Sequence, residues 1–262
     1  MKKFSALRIL NFLGIAAVIF VNGLANSLPL NNLTTGEISD RFEVYFVPAG
    51  YVFSIWGLIY VALIAFGIYQ VAPSQRQNQR LERIGLWFLI SCLANIAWLF
   101  CWHYEQFPLS LVMMLVLLVS LLVIYLRLDI RRARVSTAET WFVNHPFSLY
   151  LGWITVATIA NVTSLLYYYG WDGWGISPQV WAVIMLAAAG IISALMSISR
   201  SDVVFSLVII WAVIGIAVKH SAVPLVANAA WITAAFVLIL MLIGILLSNR
   251  RTEQEVADNR QV

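Results

Sequence analysis

Four residues of one apolar stretch, Ser91, Asn95, Trp98 and Trp102, stand at i, i+4, i+7 and i+11. At about 3.6 residues per turn they fall on a single helical stripe. A second stretch carries Tyr150, Trp153, Ala157 and Asn161 at i, i+3, i+7 and i+11, again one stripe. Phe53, Trp56 and Tyr60 share a face of a third, and Asn11, Asn22 and Asn26 one side of a fourth. Carboxamides and indoles are not acid–base or nucleophilic groups; their chemistry is hydrogen bonding and flat apolar contact. An unpaired amide in hydrocarbon costs several kcal/mol, so such stripes are expected to face a bundle interior. Converged, they would line a cavity with aromatic walls and a few fixed donors and acceptors, suited to a large, planar, mostly apolar ligand. For Trp56, Asn95, Trp98 and Trp153 the residues alone admit a pocket wall and helix packing equally. Asn22 and Asn26 read as helix glue, at roughly 1 kcal/mol each. Tyr104, Tyr167, Tyr168, Tyr169, Trp171 and Trp174 read as an interfacial aromatic belt.

Other chemistries find little support. All twelve acids fall in loops or at the ends of apolar spans. With no ionisable group near a span centre, the proton relay of a coupled pump has no place to run. The three histidines, His103, His145 and His220, fall in separate loops or span ends and do not make a metal site. His103 reads as an interfacial polar residue, with axial haem ligation as the alternative. No phosphate-binding glycine loop, nucleophile elbow or zinc spacing is present. Without an acid–base pair inside the membrane, catalysis is not expected and no cofactor is required. Cys92 and Cys101 lie about 13 Å apart along one helix, on opposite faces, and cannot pair with each other.

These residues must be positioned by membrane-spanning elements. The 262-residue chain is 62% hydrophobic and 11% charged, with mean hydropathy +0.87, against about 25% charged in an ordinary soluble domain. Spans are expected near 7–28, 50–71, 84–104, 108–127, 146–169, 178–198, 203–219 and 225–247, an all-α polytopic transmembrane helical bundle. Pro48, Pro108, Pro146, Pro178 and Pro224 sit at or just before span starts, where a missing N–H costs least. The first apolar run, though flanked like a signal peptide, reads as a retained helix. Eight crossings put both termini on one side, together with fourteen of the sixteen basic residues; only Arg41 and Lys219 lie opposite. That bias predicts cytoplasmic termini, and the chain is expected in a bacterial inner membrane. The basic pI of about 9.2 therefore reflects orientation, not nucleic acid. The polar tail after Arg251 is expected to be solvated and disordered.

The motifs resemble a known family. PAGYVFSIWGLIY (48–60) resembles the P-P-G-W-V-F-x-x-V-W-x-x-L-Y signature of the tryptophan-rich sensory protein / translocator protein family (TspO/MBR). ANIAWLFCWHY (94–104) is similar to that family's third-helix N-x-A-W segment, and PFSLYLGWITVATIANV (146–162) to its fifth-helix pattern. The resemblance covers about residues 7–171. It implies a TspO-like five-helix unit (1–171), three additional helices (172–247) and a cytoplasmic polar tail (248–262). It also implies binding of a porphyrin or other tetrapyrrole, including haem, or a sterol-like molecule, with a sensory, receptor or regulatory role; uncoupled membrane transport is the alternative. The partners implied are the lipid bilayer, that ligand and a second copy of the chain. The implied ligand contacts are Tyr51, Trp56, Asn95, Trp98, Trp153 and Asn161, to which the stripes add Phe53, Tyr60 and Tyr150. The chain departs from the pattern at Ala49 and Tyr51, where the family has proline and tryptophan. The extra helices could replace a dimer partner or widen the cavity.

Overall fold

Long apolar runs in a medium without water must satisfy their own backbone, and the helix is the element that does so within one segment. The computed structural model describes the backbone of residues 2–27 and 30–258, and the side chains of residues 6–25 and 30–249. Its main elements are α1 (Lys2–Ser27), α2 (Thr35–Asp40), α3 (Ile55–Val71), α4 (Trp87–His103), α5 (Phe107–Arg127), α6 (His145–Tyr168), α7 (Pro178–Arg200), α8 (Val203–Lys219) and α9 (Pro224–Asp258). Six helical stretches are long and apolar enough to cross a membrane; α4 and α8, at 17 residues each, are shorter apolar helices. Seventeen residues still reach about 25 Å.

Proline opens α5, α6, α7 and α9 within the first turn, as expected. Ser177 and Asp202 cap α7 and α8 through their side-chain oxygens. Ser201 takes a left-handed conformation (φ 51°) that ends α7 and lets the chain reverse within two residues. The second span keeps its expected bounds, Gly50–Val71, with Gly50–Ser54 as a 3₁₀ turn ahead of α3, and α2 lies in the connection before it. One expectation needs correcting. The polar tail is helical to Asp258 as a continuation of α9, so disorder is not its state up to there.

Helices α1, α3, α4, α5 and α6 form a closed ring, each packed against two others: α3 on α1, α1 on α4, α4 on α5, α5 on α6, and α6 back on α3. The remaining three make a layer on its outside. Helix α8 packs on α6, while α7 and α9 pack mainly on each other and on α8. Two glycines permit this seam. A Cβ at Gly152 would stand 3.1 Å from Val208 Cβ and 3.2 Å from the Phe205 carbonyl oxygen, and one at Gly215 would overlap Val52. Ala49 N–H donates to the Gly215 carbonyl (3.1 Å), and Trp211 Nε1 donates to that of Val52 (3.2 Å).

At the end of the bundle that holds the termini, Asp202 is buried although it lies at a helix end. Its Oδ2 accepts from Tyr125 Oη (2.7 Å) and Ser148 Oγ (2.6 Å), and its Oδ1 caps Phe205 N–H (3.2 Å). One carboxylate thus bolts the layer to α5 and α6. Nearby, Arg8 is drawn in, donating through Nη1 to the carbonyls of Gln70 (3.1 Å) and Gln75 (2.6 Å). That pins α1 to the turn after α3.

Candidate functional site

The stripes converge inside the ring, toward the end remote from the termini. Trp56 of α3 is the hub. Its ring lies 5.7 Å from Tyr60 and 6.1 Å from Trp98, both near parallel, and edge-on at 6.1 Å to Tyr150 and to Trp153. Trp98 stacks in turn on Trp102 at 6.2 Å, so four rings form one continuous pile across α3 and α4. Phe53 meets Trp153 edge-on at 5.9 Å.

Around this pile lies a hollow of two lobes. The larger, of about 420 Å³, is lined by Asn22, Thr35, Gly36, Phe53, Ser54, Trp56, Gly57, Tyr60 and Trp98. Ser54 and Gly57 are exposed, so this lobe opens between α1 and α3. The narrower lobe, of about 40 Å³, shares Thr35, Phe53, Trp56 and Trp98 and continues to Trp102, Trp153 and Asn161. The indole Nε1 atoms of Trp98 and Trp153 are buried and have no hydrogen-bond partner among the described residues. A buried donor left unpaired costs about 1–3 kcal/mol.

The expected contacts do not all reach this space. Phe53, Trp56, Tyr60, Trp98, Trp153 and Asn161 line it. Asn95 and Tyr150 are fully or almost fully buried one layer behind and line neither lobe. They form a strut: Asn22 Nδ2 donates to Asn95 Oδ1 (2.9 Å), and Asn95 Nδ2 donates to Tyr150 Oη (3.0 Å). Asn161 Nδ2 donates to Ser110 Oγ at 3.3 Å, tying α6 to α5. Tyr51 is elsewhere. It is 47% exposed, and its ring meets Trp211 of the layer at 5.4 Å. It is carried on the 3₁₀ turn that precedes α3. The Asn26 side chain lies outside the described residues.

Sequence reasoning missed the roof. Helix α2 sits over the hollow and contributes Thr35, Gly36 and Ser39 to its walls. Its start is a capping box: Glu37 N–H donates to Thr34 Oγ1, and Glu37 Oε2 accepts from Thr34 N–H at 2.7 Å. The backbone N–H of Thr34 holds the Glu37 carboxyl below the usual carboxylate range. The signal T-x-x-E was present in the sequence as Thr34–Glu37. Trp102 Nε1 donates to the Thr35 carbonyl (3.2 Å), and ion pairs Arg41–Glu105 and Lys219–Asp40 hold the far side.

His103, the last residue of α4, belongs to this roof. It is fully buried. Its Nδ1 donates to the Leu30 carbonyl (3.0 Å), and its Nε2 pairs with Thr35 Oγ1 (3.1 Å). Both ring nitrogens are engaged, which leaves no lone pair aimed at the hollow for a haem iron. Among the described residues no three His, Cys, Asp or Glu side chains gather as a metal site. Toward the termini the ring interior is filled. Phe66, Phe88 and Phe147, all fully buried, meet at 5.0–5.9 Å.

The TSPO-like protein family matches residues 8–243. No curated protein and no solved structure matches the chain. The family match runs past residue 171, where the motif resemblance stops, and takes in α7, α8 and most of α9. With a match over most of its length and eight apolar helices, the chain is an integral membrane protein belonging to the TSPO-like protein family.

Proposed function

We propose that the protein binds a planar hydrophobic ligand, a porphyrin or related tetrapyrrole, in the two-lobed hollow, and that occupancy is a sensory signal. The observation that carries this reading is the pair of buried, unpartnered indole N–H groups of Trp98 and Trp153. Helix packing alone gives no reason to strand two donors beside open space. A ligand with acceptor atoms relieves both. The stacked pile of Tyr60, Trp56, Trp98 and Trp102 offers flat faces to the ligand's plane. Trp56 is half-buried and lines both lobes. A sterol-like ligand fits the apolar lining and leaves the stacked faces unused. On this reading the termini face the cytoplasm and ligand enters laterally between α1 and α3.

An uncoupled carrier is the second reading, and it needs a route through the ring. The phenylalanine plug of Phe66, Phe88 and Phe147 stands in that route, and no residue of α7–α9 lines either lobe. Both features favour holding over passage. Titration of the purified protein with protoporphyrin IX is expected to quench tryptophan emission saturably at micromolar ligand, and Trp98→Phe/Trp153→Phe is expected to weaken it about tenfold, as for two lost hydrogen bonds. Unquenched emission at tens of micromolar ligand would refute the assignment.

A further inference from the structure

A second cavity, of about 200 Å³, lies at the same end of the molecule, at the seam between the ring and the layer. Residues 43–46, the last turns of α6, the connection 171–178 and the start of α7 enclose it. It shares no lining residue with either lobe of the hollow. At about 30 Å³ per water it has room for about seven waters, a small ring and its substituent, not a tetrapyrrole.

Its aromatic lining resembles the hollow's, but its charged groups are acceptors where the hollow presents indole donors. The walls are aromatic: Tyr45, Phe46, Tyr167, Trp171 and Trp181. Their polar edges are partly spent within the protein. Trp181 Nε1 donates to the Gly173 carbonyl (2.9 Å), and Gln179 Nε2 donates to Tyr45 Oη (3.2 Å). Trp171 packs against Trp181 at 4.9 Å, and Asp172 Oδ1 caps Trp174 N–H (2.9 Å), which fixes the rim. The charged groups in the lining are two carboxylates, Glu43 and Asp172; no Lys, Arg or His lines it. Asp40 and Glu105, acids of the same end, are neutralised by Lys219 and Arg41. Glu43 has no ion-pair partner among the described residues and is exposed at the mouth. Glu43 and Asp172 are both exposed, and two negative charges in a lining of electron-rich rings attract a cation and repel an anion. In the aromatic stretch at 167–174, expected as a membrane belt, Tyr167, Tyr168, Tyr169 and Trp174 are exposed; Tyr167 and the less exposed Trp171 also line this cavity.

We propose that this cavity is a binding site for a small ammonium group with an apolar body, either a soluble amine or the headgroup of a neighbouring lipid. It does not rest on the tetrapyrrole reading. The test uses the full chain in nanodiscs of phosphatidylglycerol, which carries no ammonium, and in nanodiscs of phosphatidylcholine. The probes are benzyltrimethylammonium and phenylacetate, compared by equilibrium dialysis and saturation-transfer NMR. In phosphatidylglycerol the cation is expected to bind and phenylacetate not to bind. Glu43→Gln/Asp172→Asn is expected to weaken the cation about fivefold at unchanged Tm, since Asn retains the capping oxygen at 172. If that loss persists in phosphatidylcholine, the ligand is a soluble amine. If wild type and variant bind the probe equally there, a choline headgroup already fills the site. Phenylacetate binding as tightly as the cation, or an unaltered cation affinity in the double variant in phosphatidylglycerol, overturns the proposal.

Discussion

The ring and the layer are both apolar helical assemblies rich in tryptophan, yet they use their polar residues in opposite ways. In the ring, amides and indoles point inward: Asn22, Asn95 and Tyr150 form a strut, and Trp56, Trp98 and Trp153 stand around a space. In the layer, Trp231 is half exposed and Trp211 reaches across the seam to the Val52 carbonyl, while the buried residues of α7 include Ala189, Gly190, Ser193 and Ser197, small enough for α7 and α9 to touch backbone to side chain. Close contact between small residues is how helices hold together in lipid, where burial supplies little driving force. A ring that keeps large rings and amides inside forgoes that packing. The difference marks the ring as the part built around something, and the layer as the part built to brace it.

The comparison can be broken at its seam. Gly152→Leu should force α8 from α6 through Val208 and the Phe205 backbone, costing up to about 3 kcal/mol. Urea titration should then show the layer loosening before the ring; a single unchanged transition would mean that α6 and α8 are not the true joint. Asn95→Leu removes the middle of the strut and takes from Tyr150 Oη the amide that donates to it, costing about 2 kcal/mol. Ser193→Ala, at a buried layer hydroxyl with no partner among the described residues, should be neutral or slightly stabilising. Equal losses in the two variants would erase the distinction drawn between the two interiors. Trp211→Phe gives up one hydrogen bond to the Val52 carbonyl and should lower stability by about 1 kcal/mol without touching ligand affinity. Trp153→Phe, losing an unpaired N–H, should do the reverse. The smallest effect is with pH. Burial first, then Lys219, holds the His220 imidazole below its ordinary value, against a hydrogen bond to the Val47 backbone that raises it. The folded protein therefore favours neutral His220. Its contribution is full above the ordinary value of about 6.5 and fades as pH falls through the lower folded value. Tm should drop slightly between pH 7 and 5 in the wild type, and less in His220→Gln.

Much of the ring could be read from one-dimensional spacing, because a helical stripe needs only its own periodicity. Trp98, Trp102, Trp153 and Asn161 stand where the 3.6-residue repeat puts them. Depth is a different matter. The same repeat gives Asn95 and Trp98 one face, but only neighbouring helices decide that Asn95 is a strut behind the wall and Trp98 the wall itself. Tyr51 was implied by the motif alone, which carries no local geometry: on the 3₁₀ turn before α3 its ring meets Trp211 of the layer. The roof was hidden by its brevity: a six-residue helix has no apolar period to detect, although its capping box was in plain view. Asp202 looked like an ordinary loop acid, since sequence shows that a carboxylate ends a helix and not that Tyr125 and Ser148 close over it.

The central claim is that the space beside Trp56 and Trp98 exists to be filled. Gly57 lines the larger lobe, and a Cβ there meets nothing within 4 Å, so Gly57→Leu can occupy the lobe without forcing the backbone apart. Protoporphyrin IX titration of this variant, run beside its thermal melt, isolates occupancy from folding. The expected result is an unchanged or raised Tm with binding weakened at least about tenfold, the scale of 1.4 kcal/mol. Wild-type affinity in a Gly57→Leu protein that melts normally would contradict it.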